Sequence, residues 1–335
     1  MTNETNKGHA PVPVYVLTGF LGSGKTTLLT RLLERLKSGG LQPAVIMNEL
    51  GDINLDGQLV EGGVPMAELL SGCICCSMRG DLGLEIDGLM RKHRPGAIVI
   101  EATGAANPME LLDGVTEAAL YRPVELKSVI AVVDGPQLLD RSRDGKGRTF
   151  KLMRDQIRCG TALLLNKSDR LAPEELVEAQ QLLRDMNAYA PIIPTVRCET
   201  EEWDRLLGGT GEMIIEAGAA GGRSSDHETE GNRHHSHSHV MAVTHYLRGP
   251  VDSEAFERLL NGLPSDIYRA KGIVSFSDTS SGSRFLFQYA YKETDFIRIE
   301  PQGEVLDVAV FIGEHFSREL LIEKLRKLEN GEVES

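Results

Sequence analysis

The 335-residue sequence has no apolar run of membrane-spanning length, and its opening MTNETNKGHAPVP lacks the hydrophobic segment of a secretion signal. A cytoplasmic chain with no membrane partner is the expectation. Positive charge is in deficit: 36 Lys and Arg stand against 49 Asp and Glu, a net −13. Such a field repels phosphate backbones and anionic lipid, which argues against nucleic acid as a partner. Cysteine is scarce, with five in the chain, and cytosolic thiols stay reduced, so a disulfide framework is not expected. No internal repeat is visible. The length exceeds one typical core, and two domains are expected.

What is present has a clear order. Short apolar runs at 12–19, 43–49, 97–104, 128–135, 161–169 and 191–196 each end in polar or Gly residues. Amphipathic stretches such as 26–40 and 173–189 lie between them, the first closing on Gly39-Gly40. This βαβ alternation predicts an α/β fold with a mostly parallel sheet covered by helices. Ligands then sit beyond the carboxyl ends of the strands, where the polar tails fall. The pattern stops near residue 217, and residues 218–239 are rich in Gly, Ser, charge and His, a linker composition. Strand-like runs flanked by helices follow, predicting a smaller α+β domain over 240–335.

GFLGSGKT, residues 19–26, matches the P-loop pattern between a strand and a helix. Gly19, Gly22, Ser23, Gly24, Lys25, Thr26 and Thr27 would form the phosphate cradle, with backbone N–H groups and the helix dipole aimed at phosphate oxygens. Lys25 would reach the β/γ-phosphates and the Thr26 hydroxyl would meet Mg²⁺. IVIEATG (98–104) ends a buried strand in Glu101, a candidate for the Mg²⁺ shell, followed by Gly104, whose N–H can sense a γ-phosphate. LLLNKSD (163–169) selects the base. Asp169 offers two acceptors to the adjacent N–H donors of guanine, which adenine lacks. Asn166 would tie base and loops together, and the Lys167 stem would cover the ring. The nucleotide is read as GTP. No residue stands out as a base for the attacking water.

Three of the five cysteines fall in SGCICCSMRG (71–80). Cys73, Cys75 and Cys76 can supply two or three of the four donors that Zn²⁺ takes, with Glu49 or Asp52 of IMNELGD (46–52) completing the site. Cys73 and Cys76 also spell C-x-x-C, a redox spacing, and inert cysteines are the third reading. Cys159 and Cys198 lie singly beside apolar strands and are read as packing residues. HHSHSH (234–239) is a metal-collecting tract or a solvated linker, while His93, His245 and His315 are read as structural.

TGFLGSGKTTLL, NELGDINLDGQLV, LLSGCICCSMRGDL, IVIEATGAANP and LLNKSD, in that order, resemble the CobW-type GTPases, and IYRAKGIV (267–274) resembles a CobW C-terminal domain. These are relatives of the GTPases that deliver nickel to urease and hydrogenase, and the branch includes zinc chaperones. The resemblance covers essentially the whole chain. It implies a P-loop NTPase fold, a GTPase slow without metal or client, and cysteines that hold zinc or a related metal. It also implies a client metalloprotein, which the chain does not identify, and leaves self-association open. Asp52 stands where the family commonly has Glu, a shorter reach. Cobalt handling in corrinoid assembly uses the same motifs and is the alternative.

Overall fold

The computed structural model describes residues 10–47, 64–68, 78–144, 147–208, 241–280, 282–290, 292–301, 305–314 and 316–332. The first domain is built on a parallel sheet of β1 (Val12–Thr18), β2 (Pro43–Met47), β3 (Met66–Glu68), β4 (Ala97–Glu101), β5 (Val124–Asp134), β6 (Ala162–Asn166) and β7 (Ile192–Pro194). Their spatial order is β3-β2-β4-β1-β5-β6-β7. β2, β4 and β6 are buried at every residue, which is why they read as unbroken apolar runs rather than alternating ones. The expected parallel sheet is observed, with one short strand, β3, that the sequence did not signal.

Helices cover both faces. α1 (Lys25–Ser38) buries Leu28, Leu29, Leu32, Leu33 and Leu36, a stripe at helical spacing. It stops at Gly39, with Arg35 and Lys37 in its last turn against the helix dipole. α2 (Met78–His93) and α3 (Pro108–Ala118) lie on the other face with the core of Ile86, Ile98, Leu111 and Val115. Asn107 caps α3 by accepting from the Met109 N–H at 3.0 Å, and Pro108 opens the helix. Gly114 of α3 meets Leu82 of α2 so closely that a Cβ there would lie 2.8 Å from Leu82 Cδ2. α4 (Gly135–Asp144), α5 (Arg148–Arg158), α6 (Pro173–Met186) and the single turn α7 (Trp203–Leu206) complete the layer.

The C-terminal domain is a separate antiparallel sheet in the order β11-β10-β9-β12-β8, formed by β8 (Met241–Tyr246), β9 (Ile267–Val274), β10 (Arg284–Ala290), β11 (Glu293–Ile299) and β12 (Val308–Gly313). Its helices α8 (Ser253–Asn261) and α9 (Arg318–Glu329) are capped by Asp252 and Ser317. They cover one face around Phe256, Phe287 and Phe311. The opposite face, with Ala242, Ile273, Val308, Val310 and Ile312, joins the core that holds α3. Polar contacts reinforce the junction. The Tyr246 hydroxyl accepts from the Val124 N–H at 3.0 Å and reaches the Arg122 carbonyl at 2.9 Å. Arg269 pairs with the buried Asp113 carboxylate at 2.9 Å, and Arg318 with Glu125 at 2.5 Å. Among the described residues no helix is long and apolar enough to cross a membrane.

Candidate functional site

β1 runs out at Thr18, and the chain turns through residues 19–24 before α1 begins at Lys25. The turn needs backbone shapes that side chains disfavour. Gly24 sits at φ 110°, and a Cβ there would fall 2.5 Å from Asn166 Nδ2. Gly19 and Gly22 also have positive φ. Lys25 folds its ammonium over the loop, donating to the Gly19 carbonyl at 2.9 Å and the Phe20 carbonyl at 3.3 Å. Burial lowers its pKa from the usual lysine value, and the nearby Glu101 carboxylate opposes the shift. Ser23 is fully buried and Thr27 exposed.

Thr26 and Glu101, 75 positions apart, meet at 2.7 Å, the hydroxyl donating to the carboxylate. The pair joins the start of α1 to the end of β4. Hydroxyl and carboxylate are the hard oxygen donors that Mg²⁺ prefers, so the residues present fit that ion. Beyond Glu101 the chain turns at 103–106, closed by the Ala106 N–H on the Thr103 carbonyl at 3.0 Å. Gly104 is pressed against the P-loop: a Cβ would stand 2.6 Å from the Leu21 nitrogen. No larger residue fits there without moving the phosphate loop.

The other side of the loop is organised by Asn166. Its Nδ2 donates to the Ser23 carbonyl at 2.8 Å, and its Oδ1 accepts the Cys198 N–H at 3.0 Å. Phosphate loop, β6 and the 195–198 turn are thereby fastened at one point. Lys167 takes a left-handed φ of 60° and sets its ammonium 2.5 Å from Asp134 Oδ2 at the end of β5. Asp169 follows on an exposed turn of 3₁₀-helix, Ser168–Arg170. Cys198 is buried, as a packing residue should be, but its thiol also lies 3.4 Å from the Gly24 carbonyl. Burial pushes the thiols of Cys159 and Cys198 up to about 12. Asp134 and Cys198 were missed as site residues. Asp134 had a visible signal, the polar end of SVIAVVDG, whereas an isolated cysteine offers none.

Cys73, Cys75, Cys76, Glu49, Asp52, the 218–239 segment with HHSHSH, and His315 lie outside the described residues. The anchors of the segments carrying the first five are described. Met47 at the end of β2 pairs in register with Glu101 on one side and Glu68 on the other. The chain therefore departs toward Glu49, and toward Cys73, from the strand-end row that contains Glu101. His245 packs half-buried against Glu329 at 3.4 Å, and burial lowers its pKa. His93 is exposed at the end of α2. Among the described residues no three His, Cys, Asp or Glu side chains converge on a metal-sized site.

The sequence is similar to those of known proteins. The family "CobW/HypB/UreG, nucleotide-binding domain" matches residues 13–194, and "Cobalamin synthesis protein cobW C-terminal domain" matches 240–329. The zinc chaperone YeiR of Escherichia coli is 30% identical over 273 residues, covering 79% of this chain and 74% of its own. Zinc-regulated GTPase metalloprotein activator 1 of Schizosaccharomyces pombe is 31% identical, covering 83% of this chain and 75% of its own. The solved structure of the Zn(II)-bound YjiA GTPase from E. coli aligns over 96% of this chain and 99% of its own, with 22% identity and a TM-score of 0.45. With its nucleotide-binding domain and its C-terminal domain both matched, this chain is a member of the CobW/HypB/UreG family.

Proposed function

We propose that this chain is a GTP-hydrolysing metallochaperone that loads Zn²⁺ and hands it to a client metalloprotein. The observation that carries the reading is the strand-end row of Glu68, Met47 and Glu101, with Thr26 hydrogen-bonded to Glu101. Whatever rearranges Glu101 on nucleotide binding acts on the direct partner of Met47, the root of the Glu49 segment, which in turn pairs with Glu68, the root of the cysteine segment. Named relatives that are zinc chaperones and a zinc-regulated GTPase support the same reading. Zn²⁺ is cargo here, held by Cys73, Cys75 and Cys76 with Glu49, and HHSHSH is a weaker collecting tract in the 218–239 linker.

Gly19, Gly22, Ser23, Gly24 and Thr27 cradle the phosphates, Lys25 turns from loop carbonyls to phosphate oxygens, and Gly104 reads the γ-phosphate. Thr26 and Glu101 would hold Mg²⁺, which neutralises phosphate charge when bound. Asp169 selects guanine, Asn166 holds the loops around it, and Lys167 lays its stem along the ring while Asp134 fixes its ammonium. Turnover is slow until metal or client completes the site. The family and the relatives support nucleotide binding and this chemistry.

Changing Cys73, Cys75 and Cys76 together to serine tests it. A serine hydroxyl stays protonated and ligates Zn²⁺ poorly, so tight zinc binding is lost while GTP still binds. In the unmodified protein the switch makes Zn²⁺ affinity differ between the GTP-analogue and GDP states, and by reciprocity Zn²⁺ shifts the relative affinity for the two nucleotides by the same factor. Stoichiometric tight zinc in the triple variant sinks the cysteine site. Equal zinc affinity in both nucleotide states sinks the switch.

A further inference from the structure

Gln156, near the end of α5, is 1% exposed and belongs to none of the motifs. Its side-chain amide donates to two carbonyls of the turn after Glu101, Gly104 O at 3.1 Å and Ala106 O at 3.4 Å. The same side chain lines a void of about 10 Å³ with Gly19 and Phe20, the first residues of the phosphate loop. α5 is itself held in place from behind: Asn187 Nδ2 donates to the carbonyls of Ile157 at 2.8 Å and Gly160 at 2.9 Å. Gln156 is thus a fixed post between the phosphate loop and the turn.

A trans peptide points its carbonyl and its N–H in opposite directions. Holding the Gly104 carbonyl therefore sets the plane of the Gly104–Ala105 peptide. The neighbouring Thr103–Gly104 peptide, which carries the Gly104 N–H, is fixed by the Ala106 N–H on the Thr103 carbonyl at 3.0 Å, and holding the Ala106 carbonyl steadies that end of the same turn. Two acceptors on one side call for a neutral group with two N–H donors, which an amide supplies and a carboxylate or leucine does not. The Oε1 atom is buried without a hydrogen-bond partner among the described residues. A buried acceptor left unmatched is unfavourable, so packing alone does not account for an amide here.

We infer that Gln156 is a positioning residue for GTP hydrolysis, latching turn 103–106 so that the Gly104 N–H is placed to distinguish a triphosphate from a diphosphate. This rests on the reading of Gly104 as the γ-phosphate sensor. Without the latch, Glu101 and Thr26 still meet and the phosphate loop still binds the diphosphate. What is lost is the fixed presentation of the turn.

The test uses the full chain with Gln156→Leu and Gln156→Glu, measuring affinity for GDP and for a non-hydrolysable GTP analogue, and kcat and KM for GTP. GDP affinity stays within about twofold, while kcat falls roughly tenfold, the worth of one to two net hydrogen bonds. Lowering the pH from 8 to 6 restores part of the Gln156→Glu loss relative to wild type, because a protonated carboxyl donates again; Gln156→Leu shows no such recovery. If GDP and GTP-analogue affinity fall together with kcat unchanged, or both variants match wild type, the latch is refuted. Should neither variant fold, Gln156→Asn decides: an amide one methylene short loses kcat if the latch is real and keeps it if not. A wild-type protein that binds GTP analogue and GDP alike and does not hydrolyse GTP would refute the sensor reading instead.

Discussion

Replacing Asn166 with alanine removes the point where three site segments are fastened. The side chain is 3% exposed, donates to the Ser23 carbonyl at 2.8 Å and accepts the Cys198 N–H at 3.0 Å. Each bond is worth about 1 kcal/mol net, and a buried backbone group left without a partner costs about 1–3 kcal/mol. Rehydration of the released groups offsets part of this. A loss of about 2–4 kcal/mol in the stability of the nucleotide domain is therefore expected. Affinity for GTP and GDP should fall together, by roughly 10–100-fold, since about 1.4 kcal/mol is one decade and the phosphate loop carries both. Urea unfolding followed by a probe in the first domain measures the stability, with the m-value checked for a change in mechanism. Asn166→Asp is the companion. It keeps an acceptor for Cys198 but sets a carboxylate against the Ser23 carbonyl, and should be no better than alanine. An Asn166→Ala protein within 0.5 kcal/mol of wild type and with unchanged nucleotide affinity would refute the fastening.

Asp169→Asn should weaken GTP and shift preference toward xanthosine triphosphate, because an amide donates where xanthine presents oxygen; competition binding with both nucleotides and ATP decides, and equal ATP and GTP affinity in the wild type would overturn the base assignment. Tyr246→Phe removes the hydroxyl that bridges β8 to the Arg122 carbonyl and should lower stability by about 1 kcal/mol, read as a shift in melting midpoint. Cys159 and Cys198, with pKa values pushed from 9.0 to about 12, stay protonated when folded but ionise above pH 9 when unfolded. Their contribution is intact below pH 9 and is lost as pH rises toward 12, which alkaline denaturation of the Cys159→Ala and Cys198→Ala variants should report as a shallower decline. The same burial predicts that both resist alkylation at pH 8 in the native protein and react in denaturant, measurable by peptide mass spectrometry.

The nucleotide half was legible because its chemistry is local. A phosphate cradle needs glycines and Lys-Thr within eight positions, and parallel strands buried on both faces leave unbroken apolar runs. Thr26 and Glu101 were each singled out by their own motif, and the structure brings them to 2.7 Å of each other. Contacts made by residues of ordinary type at long range were not. Gln156 sits 52 positions from Gly104 on an amphipathic helix where a glutamine reads as surface. Asn166 was read for the base and loops, but its grip on Cys198 needed the 195–198 turn, where Arg197 and Cys198 take left-handed backbone that neither residue type advertises. β3 is three residues long, below any period that a sequence can show.

The core shared between α3 and the C-terminal sheet has a consequence in time. Leu111, Leu112 and Val115 are made early, while Val308, Val310 and Ile312 of the same cluster are made roughly 190 residues later. At about 5–20 residues per second of synthesis, that delay is on the order of 10–40 s. During it the nucleotide domain can close its sheet and phosphate loop, but the flank of α3 stands bare on the nascent chain. An interrupted product ending before β8 keeps that flank permanently, and so carries an adhesive surface that the finished protein buries.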